Sequence, residues 1–156
     1  AGVVRWAPAD SGFRVGERVS AFGVLGCYAE QVAVPSSHVI RSPTELDDAE
    51  AVSLLVNYNT MYFALSRRAV MRPGQTVLVL GAAGGVGTAA VQIAKAMGAS
   101  QVIGVVHRET AMDYVAALGA DRVLHLAEGW VERVHEYTNG QGVDIVVDPI
   151  GGRTFD

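Results

Sequence analysis

Apolar positions change their rhythm near Pro43. Before it they fall in short runs broken by Gly, Pro and Ser: Val3-Val4-Arg5-Trp6, Arg18-Val19-Ser20-Ala21, and Tyr28 to Val34. Such runs predict three short strands of a small all-β unit, too few to enclose a core alone. After Pro43, apolar blocks of strand length alternate with stretches of helical spacing. Asp47-x-x-Glu50 has the form of a capping box and predicts a helix from about Asp48 toward Leu55. A second helix is expected over 60–70, stopped by Pro73-Gly74. The run Thr76-Val77-Leu78-Val79-Leu80 is apolar without alternation, the mark of a strand buried on both faces, as central parallel strands are. Beyond it the pattern predicts a helix over 86–97 closed by Gly98 and a strand over 101–106. It goes on with a helix over 110–118 closed by Gly119, a strand over 122–126, a helix over 130–138 closed by Asn139-Gly140, and a strand over 143–147. This alternation predicts right-handed βαβ units: an α/β fold with a parallel sheet and helices on both faces.

The segment richest in chemistry is Gly81-Ala82-Ala83-Gly84-Gly85-Val86-Gly87, which joins a buried strand to a helix. A helix start offers unpaired N–H groups and the positive end of the macrodipole, so a pyrophosphate can sit there. Gly84 would let the backbone approach the phosphates, and Gly87 would let the helix pack closely on the strand. The pattern reads Ala82-x-Gly84-x-x-Gly87, with alanine where the usual dinucleotide fingerprint begins with glycine. Its setting within a βαβ unit is what gives it weight. No Gly-Lys-Ser/Thr follows, which excludes a mononucleotide P-loop. An acid about 20 residues beyond the glycines would bind the ribose hydroxyls of NAD. The residue at that point is Val106, followed by His107 and Arg108, an arrangement that favours NADPH over NADH. Arg108 can also pair with Glu109.

Composition narrows the function further. The chain has 156 residues, enough for one domain or one plus part of another. Twelve cationic against sixteen acidic residues give a net charge of −4, and no basic run exceeds Arg67-Arg68. That leaves no electrostatic footprint for nucleic acid or an anionic membrane. No apolar stretch reaches the ~18–20 residues of a membrane span, and no signal-peptide pattern opens the chain. With Cys27 alone, neither an internal disulfide nor a cysteine-rich zinc site can form, and the cytosol is the expected compartment. The chain opens at Ala1 and stops just after Gly151-Gly152, so both ends are expected to be cut.

Phe13-Arg-Val-Gly-Glu-Arg-Val19, Gly26-Cys-Tyr-Ala-Glu30, Asn59-Thr-Met-Tyr62, the Gly81–Gly87 turn and Val143-Asp-Ile-Val-Val-Asp148-Pro-Ile-Gly-Gly152 occur in one order along the chain. In these stretches the sequence resembles the zinc-free quinone oxidoreductase branch of the medium-chain dehydrogenase/reductase superfamily. The resemblance implies part of a GroES-like unit over 1–55 and a Rossmann cofactor domain over 56–156 whose last strands lie outside the chain. It also implies a homodimer paired through those later strands. Zinc-dependent relatives carry a four-cysteine loop for which the six residues between Ala21 and Tyr28 leave no room. They also carry a ligand cysteine where Val56 stands here, and valine offers zinc nothing.

The implied activity is NADPH-dependent hydride transfer to a quinone or an α,β-unsaturated carbonyl, a small-molecule substrate. Thr60 and Asn59 are expected beside the nicotinamide, and Tyr58 as a donor to the acceptor's oxygen. Ala83, Gly84, Gly85, Val86 and Gly87 would hold the pyrophosphate, His107 and Arg108 the adenosine phosphate, and Asp148 and Gly151 the nicotinamide side. Tyr62 is assigned to packing, Cys27 to a packed small hydrophobe, and His38, His125 and His135 to surface or loop positions. The family's lysine and tyrosine near the adenosine phosphate are replaced by Ala111 and Leu126, which leaves recognition to Arg108. Two other functions fit the same pattern: an enoyl-thioester reductase domain of a polyketide-type synthase, and a dinucleotide-binding protein without turnover. A short-chain dehydrogenase does not fit, because no Tyr-x-x-x-Lys occurs.

Overall fold

The computed structural model describes every residue except Val24, Glu128 and residues 153–156, the last four of the expected cofactor domain. The chain divides into two compact units, Ala1–Val56 and Asn57–Asp156.

In the first unit, β1 (Gly2–Val3), β2 (Arg18–Ala21) and β3 (Val39–Arg41) form an antiparallel sheet in the order β1-β2-β3. The outer strand is not the expected one. Tyr28 to Val34 forms no ladder among the described residues, whereas Val39–Arg41 pairs with β2 in the register Val19↔Arg41 and Ala21↔Val39. A β-type run becomes a strand only where a partner meets its hydrogen-bonding groups. The expected first strand is also shorter: Trp6 lies outside it and is 78% exposed. Ser20 and Ser42 are buried with their hydroxyls 2.9 Å apart, each satisfying the other. Arg18 donates to the Leu46 carbonyl at 3.0 Å and to Asp48 Oδ1 at 2.7 Å, tying β2 to the start of α1 (Asp48–Ser53). Hydrogen bonding to Arg18 and its charge hold the Asp48 carboxyl below its ordinary value. The capping box is complete: Glu50 N–H donates to Asp47 Oδ1 at 2.8 Å, and Asp47 N–H to Glu50 Oε2 at 3.0 Å.

The two helices expected on either side of residue 57 are one helical run. A π-helical turn, Leu54–Tyr58, follows α1; then come α2 (Asn59–Phe63) and a second π turn, Ala64–Arg68. No glycine or proline interrupts these residues, so the chain absorbs extra residues as π turns instead of breaking. The Ala69 N–H reaching back to the Ala64 carbonyl at 2.8 Å is the five-residue bond of such a turn.

In the second unit, β4 (Thr76–Leu80), β5 (Gln101–Val106), β6 (Arg122–His125) and β7 (Ile145–Val147) form a wholly parallel sheet in the order β6-β5-β4-β7. The helices between them are α3 (Gly85–Ala96), α4 (Met112–Ala117) and α5 (Trp130–Tyr137). Alternate residues of the central strands enter two cores. Val77, Val79, Val102 and Val106 pack with Ala90, Val91 and Ala94 of α3, Val115 of α4, and Met61 and Leu65. Leu78, Leu80, Ile103 and Val105 pack on the other face with Val134 of α5 and Trp130 and Tyr137 beside it. Helices on both faces of a parallel sheet, with the third, second, first and fourth strands in that order, make a Rossmann-type fold. Its switch point falls between β4 and β7. β7 starts two residues later than expected because the Asp144 side chain turns back to accept from Thr76 N–H at 2.7 Å.

Two contacts position the glycine-rich turn. A Cβ at Gly104 on β5 would lie 2.7 Å from Val115 Cγ1 and 3.1 Å from the Cβ of buried Ala82. Ala82 can therefore replace the usual glycine because the strand beside it has no side chain at that level. Lys95, near the end of α3, donates to both oxygens of Asp121 at 2.9 and 3.0 Å, and Val102 N–H donates to Oδ2 at 2.7 Å. Burial pushes the Asp121 carboxyl up, but these partners outweigh it and hold the group below 3.8.

Two measurements check these contacts. Gly104→Ala should cost about 1–3 kcal/mol in urea unfolding through overpacking. Combined with Val115→Ala, the loss should be smaller than the sum of the two single losses. Because the folded Asp121 pKa is depressed, its stabilisation is present above the unfolded value and disappears as pH falls through the folded one. The stability gap between the parent and Asp121→Asn should therefore shrink from about pH 6 to about pH 3.

Candidate functional site

An open cleft of about 430 Å³ lies where β4 and β5 end. It is lined by Gly81, Ala83, Gly84, Gly85, Val86 and Gly87 of the turn, by Val106 at the end of β5 and His107, Arg108 and Ala111 beyond it, and by Pro149 and Ile150 after β7. The turn leads from β4 into α3, as expected. Gly84 is the N-cap of α3 and supplies no side-chain hydrogen bond, so the first amides of the helix remain available to a ligand. A Cβ at Gly87 would lie 2.2 Å from the Gly81 carbonyl oxygen and 2.7 Å from Ala82 Cα, so only glycine lets the helix sit this close to its turn. At Gly84 the nearest atom that a Cβ would meet among the described residues is the Gly81 carbonyl oxygen, 3.3 Å away. At Gly81, where φ is +63°, it would strike Ile150 Cδ1 at 2.9 Å, which seats the far wall against the turn.

Among the described residues no carboxylate lines the cleft, and its polar side chains are His107 and Arg108. Arg108 forms no ion pair with Glu109; its side chain has no hydrogen bond or ion pair among the described residues. Helix amides and a free guanidinium around a carboxylate-free space suit a ligand carrying phosphates at both positions. After β7, Asp148 Oδ1 accepts from Ile150 N–H at 2.9 Å and Gly151 N–H at 2.8 Å. This turn presents Pro149 and Ile150 to the cleft, and Asp148 Oδ2 is enclosed without a hydrogen-bond partner among the described residues.

Comparison with known proteins agrees with this geometry. A family profile described as zinc-binding dehydrogenase matches residues 85–156. A crystal structure of a probable oxidoreductase from Mycobacterium abscessus superposes with a TM-score of 0.94 at 60% identity, over 96% of this chain and 48% of that one. The quinone oxidoreductase from Thermus thermophilus, determined also in complex with NADPH, gives 0.80 at 37% identity over 89% and 45%. In these matches the chain resembles the medium-chain dehydrogenase/reductase superfamily. Within it the chain is quinone oxidoreductase-like. A squalestatin hexaketide synthase from Cochliobolus lunatus is 32% identical over 155 residues, covering 96% of the chain but 6% of that large protein. The chain spans about half the length of the solved superfamily members it matches.

Of the site residues expected from the superfamily pattern, Ala83, Gly84, Gly85, Val86, Gly87, His107 and Arg108 come together on the cleft, with Asp148 and Gly151 in the adjoining turn. Tyr58, Asn59 and Thr60 do not line it. Tyr58 ends the first π turn, where its hydroxyl oxygen accepts from Gln92 Nε2 at 2.8 Å, and Asn59 and Thr60 are exposed on α2. Asn57, unremarked in the sequence, stands over the turn: a Cβ at Gly85 would lie 2.6 Å from its Nδ2. Pro149 and Ile150 were also missed, and their signal was their place directly after a sheet strand. Three expectations need correction. Tyr62 is 59% exposed and is not a packing residue, because the π turns change which face of the helix meets the core. Cys27 is exposed, with its Sγ 3.7 Å from the Gly23 carbonyl, and is not packed. His125 is the last residue of β6, partly exposed, and so is not a loop residue.

Gly87→Ala should move α3 off its turn and cost at least about 1–3 kcal/mol, whereas Arg108→Ala should stay within about 0.5 kcal/mol of the parent in the same urea titration.

Proposed function

We propose that the protein is a cytosolic NADPH-dependent oxidoreductase that passes hydride to a quinone or an α,β-unsaturated carbonyl without a zinc ion. The reading is carried by the carboxylate-free cleft with uncapped helix amides on one side and a free Arg108 on the other. The first amides of α3, at Gly85, Val86 and Gly87, would hold the pyrophosphate, with Ala83 and Gly84 letting it approach the turn. His107 and Arg108 would take the 2′-phosphate, and Asp148 and Gly151 would shape the nicotinamide side. When bound, the dinucleotide supplies the hydride.

The chain supplies orientation and a proton. Because Gln92 donates to the Tyr58 oxygen, the Tyr58 proton remains free for the oxygen of an acceptor. Asn59 and Thr60, exposed on the next turn, would orient the ring and substrate. Conjugated acceptors collect charge on an oxygen that one hydrogen bond can stabilise, so no Lewis acid is required. Zinc-independence is also supported by the donor set. By the resemblance, Val56 stands at the ligand position, and valine offers zinc no donor atom. The same reading assigns 1–55 to a GroES-like substrate-side unit and 56–156 to the cofactor domain, in a homodimer.

The likeness to the hexaketide synthase favours a second reading, an enoyl-thioester reductase, in which the same residues serve and only the acceptor differs. NADPH oxidation should be faster with quinones than with pantetheine-linked enoyl thioesters; the reverse order would establish the second reading. Arg108→Ala should weaken NADPH at least about tenfold and NADH less than about twofold in calorimetric titration. Equal losses would reject the assignment of the 2′-phosphate to Arg108.

A further inference from the structure

His107 and Arg108 leave the end of β5 along the rim of the cleft. Beside them β6 ends at His125, whose register partner is Val106. His125 Nε2 lies 2.9 Å from the carbonyl oxygen of His107. A carbonyl oxygen only accepts, so Nε2 must carry the proton in this bond. The following amide adds a second tie, Leu126 N–H to the Val106 carbonyl at 2.7 Å. Beyond Arg108, the Ala111 N–H donates to the Arg108 carbonyl at 3.0 Å. The main chain is thus held on both sides of the point where the Arg108 side chain departs, while that side chain is free among the described residues. Of these ties, only the first comes from a side chain, and so only it can be removed without altering the backbone.

A long cation recognises a phosphate well only when its stem leaves a fixed point, since the ordering it must undergo on binding is then smaller. We propose that His125 is a positioning residue. Through the His107 carbonyl it fixes the segment that presents Arg108, and so sets the preference for the 2′-phosphorylated dinucleotide. This inference rests on the reading above that Arg108 takes the 2′-phosphate.

The test compares His125→Leu, His125→Gln and Arg108→Ala with the parent, measuring NADPH and NADH affinities and the urea midpoint of each. His125→Leu should weaken NADPH about fivefold, the worth of one ordinary hydrogen bond, and change NADH less than about twofold. His125→Gln, which returns an amide N–H near the position of Nε2, should restore NADPH to within about twofold of the parent. Parallel losses of both nucleotides, or a change in the urea midpoint alone, would overturn the positioning role. If Arg108→Ala shifts the NADPH preference but His125→Leu does not, the inference falls and the phosphate reading stands. If Arg108→Ala leaves the preference unchanged, the phosphate reading fails and the inference with it.

Discussion

The close seat of α3 on its own turn is the constraint on which the second unit depends. The space between Gly87 and the Gly81 carbonyl is too small for a methyl group, and that proximity brings the first helix amides to the end of β4. Everything nearby conforms to it. Ala82 is small and enclosed, Gly104 leaves room beside it, and Ile150 occupies the space over Gly81. The part of the cleft formed by the glycines is therefore main chain, which does not depend on rotamers and carries no negative charge.

The strands and helices after Pro43 were legible because both faces of β4 and β5 are buried, and an uninterrupted apolar run of strand length between turn residues fits little else. The Asp47–Glu50 capping box was legible for a similar reason: its hydrogen bonds are local and its spacing is fixed. Partnership, by contrast, is not local. Val39–Arg41 is no more strand-like in composition than Tyr28 to Val34, and only pairing with β2 distinguishes them. The π turns left no mark in the sequence either, so the faces assigned to Tyr58 and Tyr62 came out wrong for one of them.

The site divides along the same line. Its glycines and Arg108 were legible because a helix start and a strand end are fixed points in a βαβ unit. The supporting residues were not. Asn57 and Gln92 reach the turn and Tyr58 only through a helix whose register the sequence conceals, and His125 acts across two strands on a carbonyl that has no residue-specific signature.

β7 joins the sheet through residues 68 positions from their partners, as the bond between Thr76 and Asp144 shows. Its pairing with β4 places Pro149 and Ile150 on the cleft. Contacts of such long sequence separation form slowly and late, and a chain leaving the ribosome meets them in the order of its synthesis. The glycine-rich turn can therefore exist for some time as an open ledge, and becomes a walled cleft only when the last described strand has emerged and docked.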